Sequence, residues 1–243
     1  MGKTNNKYKH GVVIPCYNES SRLDLSTYIE FAKRNKGTVL CLVNDGSADA
    51  TRATLAEIKN LAHDNVYICN VARNAGKANA VRTGSLMLYQ ETEVETIGFL
   101  DADLSTSFME YHELLQAYQQ NKEKLVIFGS RNLQEGSSNI ERNPIRKLLS
   151  DFIRMLIFLI IRVKIADTQC GAKVFARQLI PEIYEQPFYS RWLFDIEIIL
   201  RLRMKMGKVR FLHIFQEKAL NEWIHMDGSK LGLKDSIMIP VSL

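Results

Sequence analysis

The chain has 243 residues, of which 46% are hydrophobic and 24% are charged, and it carries a formal net charge of +5. A chain of this length can bury a full core, and these fractions are ordinary for a globular domain. The modest positive charge suits an anionic ligand or a membrane surface. There is no long basic run and no alternation of aromatic and basic residues, so nucleic-acid binding is not expected.

The cysteines and histidines do not form a recognisable ligand pattern. The four cysteines are scattered without a C-x-x-C pair, and the five histidines lack metalloprotease spacing. We therefore predict free thiols in a reducing compartment, not a disulfide frame or a zinc site. Residues 1–9 are polar and basic, which does not predict a signal peptide. No apolar run reaches the roughly 20 residues that a membrane-spanning helix needs.

Short apolar runs alternate with amphipathic stretches through the first half of the chain. The predicted strands are residues 11–14, 39–43, 66–71, 96–101 and 125–129. The predicted helices are residues 23–35, a stretch ending near residue 62, residues 77–90 and residues 108–121. Pro15 is expected to stop the first strand, and Ser20 or Ser21 to cap the first helix. This alternation predicts βαβ units and a mostly parallel sheet covered by helices on both faces.

The pattern changes after residue 131 without an obvious linker, so residues 1–243 are predicted to form one α/β domain. Residues 144–163 are predicted to form a long helix with a very apolar second half. After a polar loop at residues 167–171, the predicted elements are a strand at 172–175, a helix at 195–206, a strand at 209–215 and a last short helix.

Right-handed crossovers bring the carboxyl ends of parallel strands to one edge of the sheet. Polar side chains collect at these strand ends: Tyr17, Asn18, Glu19, Asp45, Ser47, Asp49, Asn74, Lys77, Asp101, Asp103, Ser130 and Arg131. Asp101 and Asp103 can converge on one hard cation, Mg²⁺ or Mn²⁺, with phosphate oxygens completing its shell. The alternative is that these acids only favour turns and helix caps.

The strand ends also carry a resemblance. Residues 13–19 (VIPCYNE), 43–49 (VNDGSAD), 74–77 (NAGK) and 101–103 (DAD) resemble, in order and spacing, the signature of family 2 glycosyltransferases. Residues 167–171, residues 194–197 and Trp223 with residues 228–230 resemble its dolichyl-phosphate β-glucosyltransferase and polyprenyl-phosphate branch. The resemblance implies the single-domain type-A fold, with residues 9–131 binding a nucleotide sugar and residues 132–243 forming the acceptor side.

The resemblance further implies an inverting transfer from a UDP-hexose, with UDP-glucose preferred, to a polyprenyl phosphate at the cytoplasmic face of a membrane. Alternatives are a GDP-mannose donor, a glycan hydroxyl acceptor or a non-catalytic nucleotide-sugar-binding module. The phosphate of a lipid acceptor is already ionised near neutral pH, so no strong general base is needed. A hydroxyl acceptor would require a carboxylate to take its proton, and Asp195 is the candidate.

The candidate site residues fall into substrate-binding, catalytic and metal-binding groups. The predicted substrate-binding residues are Pro15, Tyr17, Glu19, Asp45, Lys77, Asp101, Ser229 and Lys230. The predicted catalytic residues are Arg131, Asp167, Gln169 and Asp195, and the predicted metal ligands are Asp103 and Asp101. Glu19 either binds a ribose hydroxyl or holds its own loop. Asp45 is preferred as an acceptor from a uracil imide, and Asp49 as a helix cap.

Four other side chains stay open between two roles. Lys77 suits a pyrophosphate at a helix N-terminus or is a solvated lysine. Arg131 either forks onto a phosphate or sugar hydroxyl or pairs with a glutamate. Glu197 complements a helix dipole more readily than it joins a site. Trp223 either stacks on a sugar or belongs to the core.

The apolar helix predicted at residues 144–163 has basic neighbours at Arg142, Arg146, Lys147 and Arg154. We favour an interfacial helix that lies on an anionic membrane leaflet beside a lipid acceptor. The alternatives are a core helix or the seam of a homodimer.

Overall fold

The computed structural model describes residues 8–133, 162–191 and 193–224. The strands in these ranges are β1 (His10–Cys16), β2 (Thr38–Asp45), β3 (Val66–Val71), β4 (Thr96–Leu100), β5 (Val126–Ser130), β6 (Ala172–Ala176) and β7 (Phe215–Ala219). The helices are α1 (Leu25–Arg34), α2 (Thr51–Ala62), α3 (Lys77–Glu91), α4 (Phe108–Gln120), α5 (Ile180–Tyr184), α6 (Phe194–Met206) and α7 (Lys208–Ile214). Short 3₁₀ turns lie at His63–Asn65 and Arg177–Leu179.

The described strands form one sheet in the order β3-β2-β1-β4-β6-β5-β7. All neighbouring pairs are parallel except those of β6, which runs antiparallel to both β4 and β5. Alternate strand residues feed two buried clusters. Val13 and Cys41 pack in one cluster with α3, α5, α6 and α7, and Ile14 and Leu42 pack in the other with α1, α2 and α4. The predicted mostly parallel sheet with helices on both faces is confirmed.

The strand order places a topological switch point between β1 and β4. The chain leaves β1 towards β2 on one side, continues to β3, and returns to pair β4 on the other side of β1. In open α/β sheets, ligands bind in the crevice beyond the carboxyl ends of the strands at such a point. The loops after β1, β2, β3 and β4 therefore form the expected edge of a binding site.

Two expectations about the first loop are wrong. The first strand does not stop at Pro15, because β1 continues to Cys16 and Pro15 pairs with Val43 of β2. The pairing of β1 with β4 has already ended at Val13, so Pro15 lies where β1 has only one partner strand. The cap of α1 is Asp24, whose carboxylate accepts the Ser26 N–H. Ser20 is engaged elsewhere, since its hydroxyl donates to Asp49.

The strand predicted at residues 209–215 is also wrong, because α7 occupies most of that range and β7 begins only at Phe215. The buried side chains Phe211 and Ile214 have helical spacing. The short apolar run contained too few residues to separate the two periods. The helix predicted at residues 144–163 and the last short helix fall almost wholly outside the described residues. In the described ranges, no helix combines the length and the apolar character needed to cross a membrane.

A histidine at the amino-terminal end of β1 makes the stability of the fold depend on pH. His10 is buried at the start of β1, with Nδ1 2.8 Å from Thr96 Oγ1 and Nε2 2.9 Å from Gln119 Nε2. Desolvation by burial lowers the pKa of His10 to about 4. The imidazole is therefore neutral in the folded protein at neutral pH.

We expect the folded protein to lose about 3 kcal/mol of stability from this group between about pH 6.5 and pH 4. The folded pKa of His10 lies below the unfolded value, so the unfolded chain takes up the proton first as the pH falls. Urea unfolding across this pH range measures the effect. The His10→Gln variant keeps a polar side chain but should lack this component. An identical pH dependence in both proteins would contradict the assignment.

Candidate active site

The turn after β4 holds the two predicted metal-binding carboxylates at the switch point. The Asp101 N–H donates to the Gly171 carbonyl at 3.1 Å, and the Asp103 Oδ1 accepts the Ser105 N–H at 3.0 Å. The hydroxyl of Tyr28 donates to the Ala102 carbonyl at 2.9 Å. Leu104 completes the turn in the left-handed region at φ 52°, which is rare for a branched side chain. The backbone therefore fixes the direction in which this turn presents its acids.

Lys77 reaches this turn from the first residue of α3. Its Nζ lies 2.5 Å from Asp101 Oδ1, and both side chains are about one-quarter exposed. Burial lowers the pKa of Lys77, but Asp101, Asp195 and Asp103 raise it, so the net pKa lies above its ordinary value. A charged lysine and the N-terminus of α3 thus stand beside the acid turn, an arrangement that favours an anionic ligand.

Asp45 organises the loop that leads into α3. Its carboxylate is buried and accepts the backbone N–H groups of Ala75 at 3.0 Å and Gly76 at 2.8 Å. Arg191 holds the same loop from the other side, with its guanidinium donating to Asn74 Oδ1 at 2.7 Å. The end of β2 is thereby tied to the loop that carries Lys77.

Replacing Asp45 with alanine should raise the KM for a ligand bound at this edge at least tenfold and lower stability by about 3–6 kcal/mol. The substitution leaves two N–H groups without their charged acceptor, and hydrogen bonds to charged groups contribute about 1.5–3 kcal/mol each. Asp45→Asn, which keeps one oxygen acceptor, should lie between the alanine variant and wild type. Steady-state kinetics and thermal melting measure both effects, and an unchanged KM in Asp45→Ala would contradict this role.

The loop after β1 is fixed by polar contacts with the loop after β2. Asn18 Oδ1 accepts the Ala48 N–H at 2.8 Å, and the Glu19 N–H donates to Thr51 Oγ1 at 2.7 Å. Asp49 accepts the N–H of Thr51, the first residue of α2. These contacts place the two loops side by side at the carboxyl edge of the sheet.

Glu19 itself is buried and forms a forked ion pair with Arg22. Arg22 Nε and Nη2 lie 2.7 Å from the two Glu19 carboxylate oxygens. The hydrogen bond to Glu19 raises the pKa of Arg22, and the negative charge of Asp103 adds a smaller contribution in the same direction. Tyr17, two residues before Glu19, exposes 38% of its surface at the same edge.

Arg131 forks onto Asp167 across the end of β5. Nε and Nη2 donate to the two carboxylate oxygens of Asp167 at 2.7 and 2.9 Å. The guanidinium also lies 5.5 Å from the centre of the Trp223 ring. Burial raises the pKa of Asp167, but the bonds and charge of Arg131 more than offset this and hold it below its ordinary value. Gln169 is exposed next to this pair, and its N–H donates to Asp167 Oδ1 at 3.2 Å.

Asp195 is buried in the first turn of α6. Its Oδ1 lies 2.7 Å from the Nζ of Lys173, whose side chain is fully buried. Burial raises the pKa of Asp195 above its ordinary value, although Lys173 and Lys77 oppose the shift. Glu197 lies outside this group, because it pairs with Arg201 at 2.7 Å on the same helix.

Sequence reasoning missed several partners of the predicted residues. Lys173 lies in a predicted strand but is not among the predicted site residues, although a lysine within an apolar run indicates a buried charge. Glu217 accepts the N–H groups of Ala166 and Asp167 at 2.9 Å, so β7 holds the loop that carries Asp167. Arg22 and Arg191 had no distinguishing pattern, since each lies in an ordinary polar loop.

Ser229 and Lys230 lie outside the described residues. The chain can be followed to Ile224, whose N–H donates to the Ser105 carbonyl at 3.0 Å. Glu110 accepts the N–H groups of Asn221 and Glu222 and fixes this segment beside the acid turn. The last described residues are therefore held next to Asp103.

The acid turn fits a hard divalent cation that shares its shell with a substrate. Within the described part of the chain, Asp103 Oδ2 accepts no hydrogen bond and Asp103 has no basic partner at salt-bridge distance. No group of three or more His, Cys, Asp or Glu side chains there could hold a metal. Asp103 and Asp101 supply oxygen ligands of the type that Mg²⁺ or Mn²⁺ prefers, and phosphate oxygens would complete the shell.

The fold and this edge define the class of protein. The glucosyl-3-phosphoglycerate synthase of Mycobacterium tuberculosis, crystallised with Mn²⁺, UDP and phosphoglyceric acid, superposes with a TM-score of 0.70 over 97% of this chain and 77% of that one, at 14% identity. The mannosyl-3-phosphoglycerate synthase of Rubrobacter xylanophilus gives 0.67 over 97% and 72%, at 12% identity. The fold is that of type-A glycosyltransferases.

Residues 11–183 match the model of glycosyl transferase family 2, and the chain belongs to this family. A dolichyl-phosphate beta-glucosyltransferase of Saccharomyces cerevisiae is 31% identical over 96% of this chain and 72% of its own length. One from Trichomonas vaginalis is 30% identical over 95% of this chain and 70% of its own length. The human enzyme of the same name is 28% identical over 90% and 68%. These relatives confirm the family resemblance found in the sequence.

Proposed function

We propose that this protein transfers glucose, with inversion, from UDP-glucose to a polyprenyl phosphate of the dolichyl phosphate type at the cytoplasmic face of a membrane. The observation that carries the proposal is that the acids of the site other than Asp103 are already engaged. Asp45 binds backbone N–H groups, Asp101 binds Lys77, Asp167 binds Arg131 and Asp195 binds Lys173. Such a site neutralises charge better than it removes protons, and an ionised phosphate acceptor has no proton to lose.

The donor would lie over the switch point. The uracil and ribose would meet Pro15, Tyr17, Glu19 and Asp45, and the pyrophosphate would meet Lys77 and the N-terminus of α3. Each Asp45 oxygen accepts one backbone N–H and retains a lone pair for the uracil imide.

The leaving diphosphate would be stabilised at the acid turn. Asp103 would hold Mg²⁺ or Mn²⁺ directly, and Asp101 would bind the ribose or the water shell of the ion. The bound ion would offset the negative charge that develops on the leaving diphosphate. Ser229 and Lys230, which follow the segment held beside Asp103, would cover the pyrophosphate.

The acceptor would enter beside Arg131, Asp167 and Gln169, near the exposed side of Trp223. Asp167 keeps the guanidinium of Arg131 in a fixed orientation, so a phosphate can be met without rearrangement. The apolar helix predicted at residues 144–163 would lie on the membrane surface or form the seam of a homodimer. In the sequence it lies between β5 and β6, and it begins at residue 144, shortly after Arg131.

A transfer assay tests the proposal. UDP-glucose and GDP-mannose are each incubated with dolichyl phosphate, undecaprenyl phosphate or a free glycan, in Mn²⁺ or in EDTA. We expect glucose transfer from UDP-glucose to a lipid phosphate, a β-linked product and loss of activity in EDTA that added Mn²⁺ restores. Transfer only to the glycan, or only from GDP-mannose, would overturn the acceptor or the donor. Nucleotide-sugar binding without transfer or hydrolysis would indicate a binding module.

A further inference from the structure

Lys173 is a charged side chain in a place where stability does not require one. It is the second residue of β6 and has no exposed surface, and it pairs with Phe99 of β4 on one side and Phe128 of β5 on the other. Its Nζ is 5.1 Å from the Phe99 ring centre and 4.6 Å from the Phe128 ring centre. Burying an ion pair costs several kcal/mol per ion, and apolar residues of similar volume are often as stable or more stable. The stability of the fold therefore does not explain why a lysine occupies this position.

The two partners of Lys173 both lie next to the active site. Its Nζ donates to the Cys170 carbonyl at 2.6 Å and lies 2.7 Å from Asp195 Oδ1. One contact fixes the loop before β6, and the other fixes the first turn of α6. A single buried ammonium thus joins two elements that are 25 residues apart in the sequence (170 to 195).

The loop fixed by Lys173 supports Asp101 directly. Gly171 follows Cys170, and its carbonyl accepts the Asp101 N–H at 3.1 Å. The Gly171 Cα faces the Asp101 carboxylate so closely that a Cβ at this position would overlap it. On the other side, the charge of Asp195 acts on Lys77, the ion-pair partner of Asp101. The position of Asp101 therefore depends on the loop that Lys173 holds, and the charge of Asp195, the other partner of Lys173, helps to keep Lys77 protonated.

We propose that Lys173, held by Asp195, is a positioning residue that fixes the location of the Asp101–Lys77 pair. It contacts neither donor nor acceptor in this arrangement. The inference rests on the proposed function, because that function places Lys77 on the donor pyrophosphate and Asp101 on the ribose or on the water shell of the ion. Asp195 acts through Lys173 and takes no proton from the acceptor.

Three variants test the proposal: Lys173→Met, Asp195→Asn and the double variant. Lys173→Met is close to lysine in volume but leaves the Asp195 carboxylate buried without its partner, so its melting temperature should fall. The double variant removes both charges and should recover most of that loss. All three should lose kcat by a similar factor, about 10²-fold, because displacing a reacting group by about 1 Å can cost that much. The KM for UDP-glucose should change less than kcat, because the contacts proposed for the uracil and ribose at Pro15, Tyr17 and Asp45 are kept.

Arg177→Met is the matched control. Arg177 follows the opposite end of β6, where it donates to the Tyr89 carbonyl and pairs with Glu93. Its substitution should change stability but not kcat. A folded double variant with wild-type kcat would overturn the proposal, as would a wild-type kcat in Lys173→Met with only Asp195→Asn impaired. Asp195→Asn keeps the side-chain shape but removes the charge that anchors Nζ, so it remains informative if the methionine variants do not fold.

The same assays separate this inference from the proposed function. Hydrolysis of UDP-glucose to glucose and UDP is measured with transfer to dolichyl phosphate. Wild-type protein that hydrolyses the donor without transferring to the lipid would overturn the acceptor assignment only. The three variants would then still be compared by their rates of hydrolysis, and an undiminished rate in the double variant would overturn the role of Lys173.

Discussion

Replacing Asp103 with alanine is expected to lower kcat about 10³-fold while leaving the fold intact. Asp103 is partly exposed and makes one backbone hydrogen bond, so its removal should destabilise the protein by no more than about 1 kcal/mol. Its second oxygen is the candidate ligand for the ion beside the leaving diphosphate. Removal of one preorganised electrostatic group from such a site costs about 10²–10³-fold, and loss of a metal ligand adds to this.

The experiment compares kcat across a Mn²⁺ titration with a matched control. Asp24→Ala removes an aspartate with the same local geometry, since Asp24 Oδ1 also accepts an N–H two residues further on, that of Ser26. Asp24 caps α1, so its loss should lower stability by about 1 kcal/mol and leave kcat unchanged. Asp103→Ala should not regain activity at any Mn²⁺ concentration. A variant that saturates with Mn²⁺ like wild type would remove Asp103 from the metal site.

Gly171→Ala is expected to produce the second largest loss, about 10²-fold in kcat. The added Cβ would overlap the carboxyl group of Asp101, whose N–H is bound to the Gly171 carbonyl. Asp101 must then turn away from Lys77, or the loop must move. Overpacking of this kind costs about 1–3 kcal/mol in stability, whereas a displacement near 1 Å at the reacting groups can cost 10²-fold in rate. Activity should therefore fall much further than stability.

Gly37→Ala provides the comparison for this substitution. A Cβ at Gly37, in the turn between α1 and β2, would meet no atom within 4 Å. This variant should match wild type in kcat and differ little in melting temperature. Steady-state kinetics and thermal melting of Gly171→Ala and Gly37→Ala measure the changes in kcat and in stability. If Gly171→Ala keeps wild-type activity, the close approach of residue 171 to the Asp101 carboxylate is not needed for function.

The sequence was sufficient to place the loops but not to pair their side chains. Apolar runs and helical stretches predicted five parallel strands, and right-handed crossovers then required their carboxyl ends to share one edge. The pairing of Asp167 with Arg131 depends on strand order, which the periodicity of the chain does not specify. The same holds for Lys173 and Asp195, which meet only because β6 runs antiparallel between β4 and β5.

Local ambiguity accounts for the other differences. The apolar residues of the short run over residues 209–215 fit both helical and strand-like spacing. The helix forms because it packs Phe211 and Ile214 together against the core. The prediction of Ser20 or Ser21 as the cap of α1 was wrong because Ser20 instead binds Asp49, which lies 29 residues further along the chain. Local sequence patterns do not predict contacts between residues so far apart in the chain.

The reversed direction of β6 has a consequence for how specificity could diverge. β5 ends at the carboxyl edge of the sheet and β6, running the other way, begins there. The excursion of the chain between residues 133 and 162 therefore departs from and returns to the same side as the Asp101–Lys77 pair. Insertions or replacements within that excursion would leave the described strand pairings in register. If the proposed function holds, the choice of acceptor can therefore change independently of the strands that carry the nucleotide-binding loops.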